Sequence, residues 1–204
     1  MIVGYGEMIR DLPEENNEEN INVIIDEAKR LSTLVDDLID ISKIDAIKLE
    51  LHKEKISLND MLRDVFRQYE KYCENQGIDF ELKLSEDVIV ELDRKRINQV
   101  LYNFINNALN YNNKESKKII LGSEKKEGFY RVYVYDNGDG IEEKDLQNIW
   151  DRYYKVNQEH KRHHIGSGIG LSLARELLSA HGMNYGVKSN VGEYSMFYFD
   201  IMDS

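Results

Sequence analysis

Three asparagines that could bind a metal ion share one face of a predicted helix. Within NQVLYNFINNALNYN, Asn103, Asn107 and Asn110 stand four and three residues apart, with Tyr111 directly after them. This spacing places side chains on the same helical face, although asparagine is unfavourable inside a helix. Amide oxygens suit Mg²⁺, which takes its other ligands from water and substrate phosphates. The alternative interpretation is the solvated polar face of an ordinary helix.

A carboxylate followed by two glycines is the second candidate. In YVYDNGDGI a predicted strand ends at Asp136, and Gly138 and Gly140 come next. Alternating glycines let the chain turn tightly and let a ligand approach the backbone. The carboxylate can accept a hydrogen bond from an exocyclic amine such as that of adenine. The alternative is a hairpin turn, because Asn-Gly and Asp-Gly are common turn dipeptides.

A glycine-rich entry to a helix is the third candidate. In IGSGIGLSLARELLSAHG, Gly166, Gly168 and Gly170 lead directly into an apolar helical pattern. The first N–H groups of a helix lack partners within it, and the helix dipole adds to their attraction for an anion. No Gly-Lys-Ser/Thr follows, so this is not a Walker A motif, and no strand immediately precedes it as in a dinucleotide fingerprint. The alternative is a glycine hinge.

The composition excludes several classes of protein. The 204-residue chain carries 27 Lys and Arg against 38 Asp and Glu, a net charge of −11. This charge argues against nucleic-acid binding and against docking on an anionic membrane through a basic patch. The single cysteine permits no internal disulfide, and no apolar stretch has the length of a membrane helix. We therefore expect a soluble, cytoplasmic chain.

Two units are predicted along the chain. Apolar residues recur every three or four positions over 21–47, which predicts one long amphipathic helix. A shorter helical pattern covers 1–12. Together they predict a helical hairpin with one short arm, followed from Lys48 by mixed strands and helices. The expected domains are therefore 1–47 and 48–204.

The second unit is predicted to alternate strands with helices. Ser57 and Asp60 resemble a capping box at the start of a helix that continues to about Gln76, and Asp93 is placed to cap the asparagine-bearing helix. The apolar face of that helix is predicted to supply core residues, namely Val100, Leu101, Phe104, Ile105 and Leu109. The strand patterns are LELHKEKISL, IDFELKL, VIVEL, KKIILGS and YRVYVYD, ahead of a helix near 171–180 and two last strands.

The motifs occur in the order found in the catalytic, ATP-binding domain of sensor histidine kinases, and the sequence resembles that domain. NFINNALNY resembles its N-box, DNGDGI its first glycine box, IWDRYYK its F-box and GSGIGL its second glycine box. Each motif is weak alone, but four in the family's order within about 70 residues are specific. MIVGYGEMIRDLP resembles the tail of the first helix of the dimerisation and phosphoacceptor domain, and residues 21–47 resemble its second helix. The implied fold is α+β, a Bergerat-type α/β sandwich whose mixed sheet is covered by helices, preceded by a helical hairpin.

The resemblance implies roles for individual residues and implies ATP and Mg²⁺ as cofactors. Asn107 would be the Mg²⁺ ligand, with Asn103 supporting it one turn earlier, and Asp136 would bind the adenine amino group. A polar lid over 157–164 is expected to precede the second glycine box. The other nucleotide contacts would come from Asn110, Tyr111, Gly138, Gly140, Ile141, Arg152, Lys155, Gly166, Ser167, Gly168, Ile169, Gly170 and Leu171.

Asn110 and Trp150 are among the positions that depart from the family pattern. Asn110 stands where many members have a lysine that reaches the phosphates. The loss of that cation should weaken nucleotide binding, or shift its task to Lys155, Lys161 or Arg162. Trp150 replaces the usual phenylalanine of the F-box, which is a tolerable aromatic exchange.

None of the five histidines matches the H-box of the family, so the phosphoaccepting histidine would lie upstream of this chain. His52 lies in a strand pattern, and His181 ends the last helix as a cap or surface residue. His160, His163 and His164 could bind a metal if they were helical, but no carboxylate or cysteine completes a site. We therefore expect the chain to bind Mg-ATP without phosphorylating itself.

The implied function is that of the Mg-ATP-binding kinase core of a two-component sensor histidine kinase. In the full-length protein the γ-phosphoryl group would pass from ATP to an upstream histidine, and then to an aspartate of a response regulator receiver domain. A homodimer through the helical hairpin is expected, weakened by the short arm, in the cytoplasmic part of a membrane-anchored bacterial sensor. Two alternatives stay open: an ATPase of the same superfamily that drives conformational change, and a nucleotide-sensing interaction module without histidine phosphorylation.

Overall fold

The structure is a computed structural model that describes residues 2–11, 18, 20–25, 28, 31, 50–156 and 168–203. Internal contacts divide the chain into two units, Met1–Lys48 and Leu49–Ser204. In the first unit, helix α1 spans Ile2–Asp11, as the pattern of the first twelve residues predicted. Residues 20–25 are helical as well. Most of the long helix predicted over 21–47 lies outside the described residues.

The second unit mixes strands with helices. In its described part, no helix is long and apolar enough to cross a membrane, and the same holds for the described part of the first unit. A short 3₁₀ helix covers Asn148–Trp150. The other elements, in chain order, are β1 (Glu54–Ser57), α2 (Leu58–Asn75), β2 (Asp79–Lys83), β3 (Ile89–Leu92), α3 (Arg94–Asn110), β4 (Lys118–Lys126), β5 (Phe129–Asp136), α4 (Gly170–His181), β6 (Asn184–Asn190) and β7 (Tyr194–Met202).

Five of the strands form one mixed sheet in the order β2-β4-β5-β7-β6. β2 runs parallel to β4, and the other neighbours are antiparallel. The parallel pair requires a long crossover, and here the chain passes through β3 and α3 between β2 and β4. β1 and β3 pair separately in an antiparallel two-stranded sheet. The predicted α+β fold, with a mixed sheet covered by helices, is confirmed.

One face of the sheet forms the core with the helices. Burial alternates along the whole of β5, as expected of a strand with one face covered. The register aligns Val134 with Leu121 of β4 and Phe197 of β7, and all three side chains are buried. Phe104 of α3 packs against Phe197 with ring centroids 5.4 Å apart. The asparagine-bearing helix is therefore fixed to the sheet through its apolar face.

The opposite face of the sheet carries tyrosine rings that lie over glycines. Tyr133 is the cross-strand neighbour of Gly122, and Tyr198 is the neighbour of Gly186. A methyl group at Gly122 would lie 2.4 Å from the Tyr133 ring, and one at Gly186 would lie 2.6 Å from the Tyr198 hydroxyl. The missing side chains of these two glycines therefore provide the space for the rings.

Two helices begin at the predicted capping residues. The Ser57 hydroxyl accepts the Asp60 N–H at 3.0 Å at the start of α2, and the Asp93 carboxylate accepts the Arg96 N–H at 3.1 Å at the start of α3. The Asp60 carboxylate pairs with Arg63 at 2.9 Å. The cap of α2 is therefore made by the serine hydroxyl. Of the strand pattern over 49–58, the structure describes 50–58, and within that range only Glu54–Ser57 is a strand.

Candidate functional site

Asn103 and Asn107 form a half-buried pair of amides on α3. Among the residues that the structure describes, neither Nδ2 atom has a hydrogen-bond partner. Leaving a buried donor unpaired costs about 1–3 kcal/mol, so this pair is suited to a ligand that supplies the missing partner. Rotation of an amide by a half-turn exchanges its nitrogen and oxygen, so Asn107 can present an oxygen to a cation. Asn110, in contrast, is exposed at the last position of α3.

The start of α4 lies directly against the Asn103 side chain. A methyl group at Gly170 would lie 3.0 Å from Asn103 Oδ1, so glycine permits this approach. Ile169, the buried residue before α4, makes no side-chain cap hydrogen bond, and Leu171 is half-buried. The first turn of α4 and the amide face of α3 are therefore adjacent, as a phosphate and metal site requires. Gly166 and Ser167 lie outside the described residues.

Asp136 is a buried carboxylate at the end of β5. Its side chain is 4% exposed, and Oδ1 accepts the N–H of Gly138 at 2.8 Å. Burial raises the pKa of Asp136 to about 7, the charge of Asp139 adds to the increase, and the Gly138 hydrogen bond opposes it. Near neutral pH this group is thus close to half-ionised. A ligand that donates a hydrogen bond, such as an exocyclic amine, would favour the ionised form.

Two predicted glycines are required by close backbone contacts. A methyl group at Gly138 would lie 2.8 Å from the carbonyl oxygen of Tyr111, the residue that follows α3. Gly140 has φ of +70°, and a methyl group there would lie 2.2 Å from the carbonyl oxygen of Asn190. The first glycine box is therefore packed between the end of α3 and the β6–β7 turn. Its next residue, Ile141, donates its N–H to Ser189 Oγ at 2.8 Å.

The F-box is anchored by its tryptophan. Trp150 is buried, and its ring lies 4.9 Å from Tyr185 and 6.3 Å from Phe104, centroid to centroid. Because Phe104 is on α3, this contact ties the F-box to the asparagine-bearing helix. Arg152 is half-buried and Lys155 is exposed.

A backbone hydrogen bond joins two residues that flank the predicted lid in the sequence. Tyr153 donates its N–H to the Gly168 carbonyl at 2.9 Å. Both residues have positive φ, 65° for Tyr153 and +73° for Gly168, and this conformation is costly for tyrosine. The lid predicted over 157–164 lies outside the described residues. So do Lys161, Arg162 and the three histidines His160, His163 and His164.

His181 joins the far ends of the two site helices. Its Nδ1 lies 2.7 Å from the Leu177 carbonyl, and its Nε2 accepts the Asp93 N–H at 3.2 Å. A carbonyl only accepts and an N–H only donates, so the imidazole is neutral with its proton on Nδ1. Burial lowers the pKa of His181, in agreement with this neutral state. The predicted cap or surface residue is thus a half-buried link, while His52 is exposed ahead of β1 and donates its backbone N–H to Asp93 Oδ2 at 3.0 Å.

The sequence predictions did not include Asn112 and Asn137, which are hydrogen-bonded to each other beside the site. Asn112 comes shortly after α3, and Asn137 comes directly after β5. Asparagine is common in such connections because its side chain hydrogen-bonds to nearby backbone. The available signal was the asparagine content of these two segments, which turn formation alone would also explain.

Two family models match this chain. The model of the family "histidine kinase-, DNA gyrase B-, and HSP90-like ATPase" matches residues 92–203, and that of the His Kinase A (phospho-acceptor) domain matches residues 1–47. The sensor protein SrrB of Staphylococcus aureus strain N315 is 31% identical over 200 residues, which are 97% of this chain and 34% of SrrB. The chain therefore spans about a third of the length of this curated relative.

Solved structures of histidine kinases share the fold. Histidine kinase AdeS of Acinetobacter baumannii superposes with a TM-score of 0.77 at 23% identity, covering 98% of this chain and 92% of that one. Histidine kinase ThkA, in complex with response regulator protein TrrA, superposes with a TM-score of 0.77 at 28% identity, covering 100% of this chain and 57% of that one. The chain therefore belongs to the histidine kinase-, DNA gyrase B- and HSP90-like ATPase family. Because a phospho-acceptor domain match precedes the ATPase match, it belongs to the sensor histidine kinases of that family.

Proposed function

We propose that this chain is the Mg-ATP-binding kinase core of a sensor histidine kinase, with a dimerisation segment at 1–47 and the catalytic domain at 48–204. One observation carries the proposal: among the described residues, the buried Nδ2 atoms of Asn103 and Asn107 on one face of α3 have no partner, and the Asn103 side chain lies against the start of α4, where Gly170 leaves room for it. The same helix, α3, ends against the glycine box that follows Asp136. An acceptor for adenine and donors for phosphate thus border one helix.

Each element has a separate task in this proposal. Asn107, supported by Asn103, holds Mg²⁺ through its amide oxygen, and the bound ion would neutralise charge on the phosphates. The first-turn N–H groups of α4 donate to phosphate oxygens, and Asp136 accepts from the adenine amine. Catalysis by such a site is mainly positioning and charge stabilisation. Asn110, Tyr111, Arg152 and Lys155 remain proposed contacts to the nucleotide.

The phosphoryl acceptor would be supplied by another polypeptide segment. None of the five histidines lies within 1–47, the segment that matches the phospho-acceptor domain. We expect the acceptor histidine to pass its phosphoryl group to an aspartate of a response regulator, and the solved complex of ThkA with response regulator protein TrrA supports this partner class. A homodimer through the helical segment, and a location in the cytoplasmic part of a membrane-anchored sensor, complete the proposal.

Calorimetric titration with AMPPNP tests the nucleotide site. The solved full-length ShkA in complex with AMPPNP makes this analogue a suitable probe. We expect binding that requires Mg²⁺ and weakens on addition of EDTA, and a smaller metal effect in Asn107→Ala. Asp203→Ala serves as a control, because Asp203 is exposed at the end of the chain. Absence of AMPPNP binding by folded protein would contradict the proposal.

A second measurement separates kinase from ATPase and sensing functions. The chain is mixed with labelled Mg-ATP and with a separate fragment that carries a phosphoacceptor histidine from a related sensor kinase. Label on that histidine supports the kinase, whereas steady release of phosphate with no labelled histidine supports an ATPase. Binding without either product would favour the nucleotide-sensing module.

A further inference from the structure

Two hydrogen-bonded asparagines, Asn112 buried and Asn137 half-buried, link the segment after α3 to the segment after β5. Asn112 is 1% exposed, and its Nδ2 donates to Asn137 Oδ1 at 2.8 Å. Asn112 lies five residues after Asn107, and Asn137 directly follows Asp136. The hydrogen bond therefore joins the segment that follows the proposed metal ligand in the sequence to the segment that follows the proposed adenine acceptor.

The Asn137 side chain also hydrogen-bonds to the backbone of the connection between α3 and β4. Its Oδ1 also accepts the N–H of Lys118, the first residue of β4, at 2.8 Å. Its Nδ2 donates to the carbonyl of Ser116 at 2.9 Å. Both polar atoms of this side chain are thus engaged with one loop. An asparagine whose only task was an Asn-Gly turn would need no such long-range partners.

Asn112 makes two further contacts, one within its own segment and one with the segment that follows β5. Its Oδ1 accepts the N–H of Lys114 at 3.2 Å, and its Cα would lie 3.0 Å from a methyl group placed on Gly138. The two segments are therefore in direct backbone contact, and the hydrogen-bonded amide pair lies beside that contact. Removal of the Asn137 amide would leave the buried Nδ2 of Asn112 without this partner, which is unfavourable in a water-poor environment.

Resting on the proposed function, we infer that Asn112 and Asn137 are positioning residues for the nucleotide. Their hydrogen bond sets the spacing between Asp136, which binds the adenine, and Asn107, which holds the metal beside the phosphates. A ligand that occupies both ends of the site depends on this spacing. Adenosine, which has no phosphates, depends on the adenine end alone.

A purely structural role leads to a different pattern of losses. Phe104 and Phe197 hold α3 on the sheet through the core, so the fold does not depend on the amide pair alone. If the pair only stabilised the domain, its loss would lower the melting temperature and leave the relative affinities of the two ligands unchanged. The positioning role predicts that these affinities diverge.

The test compares two ligands on the full chain. Affinities for Mg²⁺–AMPPNP and for adenosine are measured, by calorimetry and by ligand-observed NMR, for wild type, Asn112→Ala, Asn137→Ala and the double variant. We expect each single variant to lose roughly tenfold in Mg²⁺–AMPPNP affinity and less than about twofold in adenosine affinity. The double variant should lose no more than Asn137→Ala alone, because that single change already removes the hydrogen bond between the two amides. Asn184→Ala, at an exposed position at the start of β6, should change neither affinity.

The outcomes distinguish the inference from the proposed function. Equal losses for both ligands, additive losses in the double variant, or unchanged Mg²⁺–AMPPNP affinity would overturn the positioning role while the nucleotide site stands. If folded wild-type protein bound neither ligand, the proposed function itself would be wrong and the inference with it. Should Asn137→Ala fail to fold, Asn112→Ala still tests the inference, because it removes the bond between the amides and leaves the bonds of Asn137 to Lys118 and Ser116 in place, and it should show the same divergence.

Discussion

Replacement of Asp136 by asparagine should weaken nucleotide binding and stabilise the ligand-free protein at alkaline pH. The carboxylate is 4% exposed, and burial raises its pKa to about 7, against an ordinary value of about 3.9. Asparagine has the same shape and keeps an oxygen that can accept the Gly138 N–H. The substitution therefore removes a buried charge with little change in packing.

The size of the stability change follows from the two pKa values. A carboxyl group whose pKa is higher in the folded state binds its proton more tightly there, so stability is lost as pH rises from about 4 to about 7. The full loss corresponds to about 4 kcal/mol and is present at pH 8. A new buried amide donor without a partner costs about 1–3 kcal/mol. The variant should therefore gain about 1–3 kcal/mol at pH 8.

The same reasoning predicts that the gain disappears in acid. At pH 5 the carboxylate of Asp136 costs only about 1.5 kcal/mol, which the new amide donor offsets. Urea denaturation of wild type and Asp136→Asn at pH 5 and pH 8 measures both differences. Asp203→Asn is the matched control, because Asp203 is exposed. A variant that is less stable than wild type at pH 8, or one with equal gains at both pH values, would refute the buried-charge reasoning.

Nucleotide binding should change in the opposite direction. A hydrogen bond to a charged group contributes about 1.5–3 kcal/mol, so Asp136→Asn should bind Mg²⁺–AMPPNP roughly 10- to 100-fold more weakly at pH 8. In wild type the affinity should fall below pH 7, by up to about tenfold per pH unit, because the adenine amine requires the ionised acceptor. Unchanged affinity in the variant would show that Asp136 does not contact the base.

Three further substitutions test other parts of the site. Burial lowers the pKa of the His181 imidazole, which accepts the Asp93 N–H, so protonation favours the unfolded chain and wild type loses stability as pH falls below about 6.5. His181→Gln should make this loss of stability smaller, and urea denaturation between pH 7 and pH 5 measures the difference. Gly140→Ala should lower the melting temperature, because a methyl group would lie 2.2 Å from the Asn190 carbonyl; a melt that matches wild type in circular dichroism would contradict the contact. Tyr153→Gly should raise the free energy of unfolding by about 1 kcal/mol, because φ is 65° at an exposed ring; a loss of stability in urea would show that the ring makes a necessary contact.

Local signals explain why most elements could be predicted from the sequence. The starts of α2 and α3 are set by Ser57 and Asp93, whose side chains bond to backbone three residues later. The alternation along β5 likewise follows from one covered face. Leu109 is a partial exception, because it is half-buried, whereas Ala108 is buried. α3 contacts both the sheet and α4, so the residues that it buries are not identical to those of its predicted apolar face.

Interactions between distant residues could not be predicted in the same way. The pairing of β1 with β3 and the parallel pairing of β2 with β4 depend on tertiary contacts, for which the strand patterns carry no signal. The hydrogen bond between Asn112 and Asn137 joins residues 25 positions apart. The resemblance to sensor kinases supplied the roles of Asp136 and Asn107, and those roles remain predictions. The exposure of Asn110 likewise required the structure.

On the sheet face opposite the core, tyrosine rings lie over glycines, and this packing limits the order in which substitutions at the two positions of each pair can be accepted. A side chain at Gly122 would overlap the Tyr133 ring, and one at Gly186 would overlap Tyr198. A lineage that acquires the new side chain first passes through a clash, whereas one that loses the ring first does not. The two members of each pair are therefore expected to vary together among descendants, with the aromatic residue replaced before the glycine.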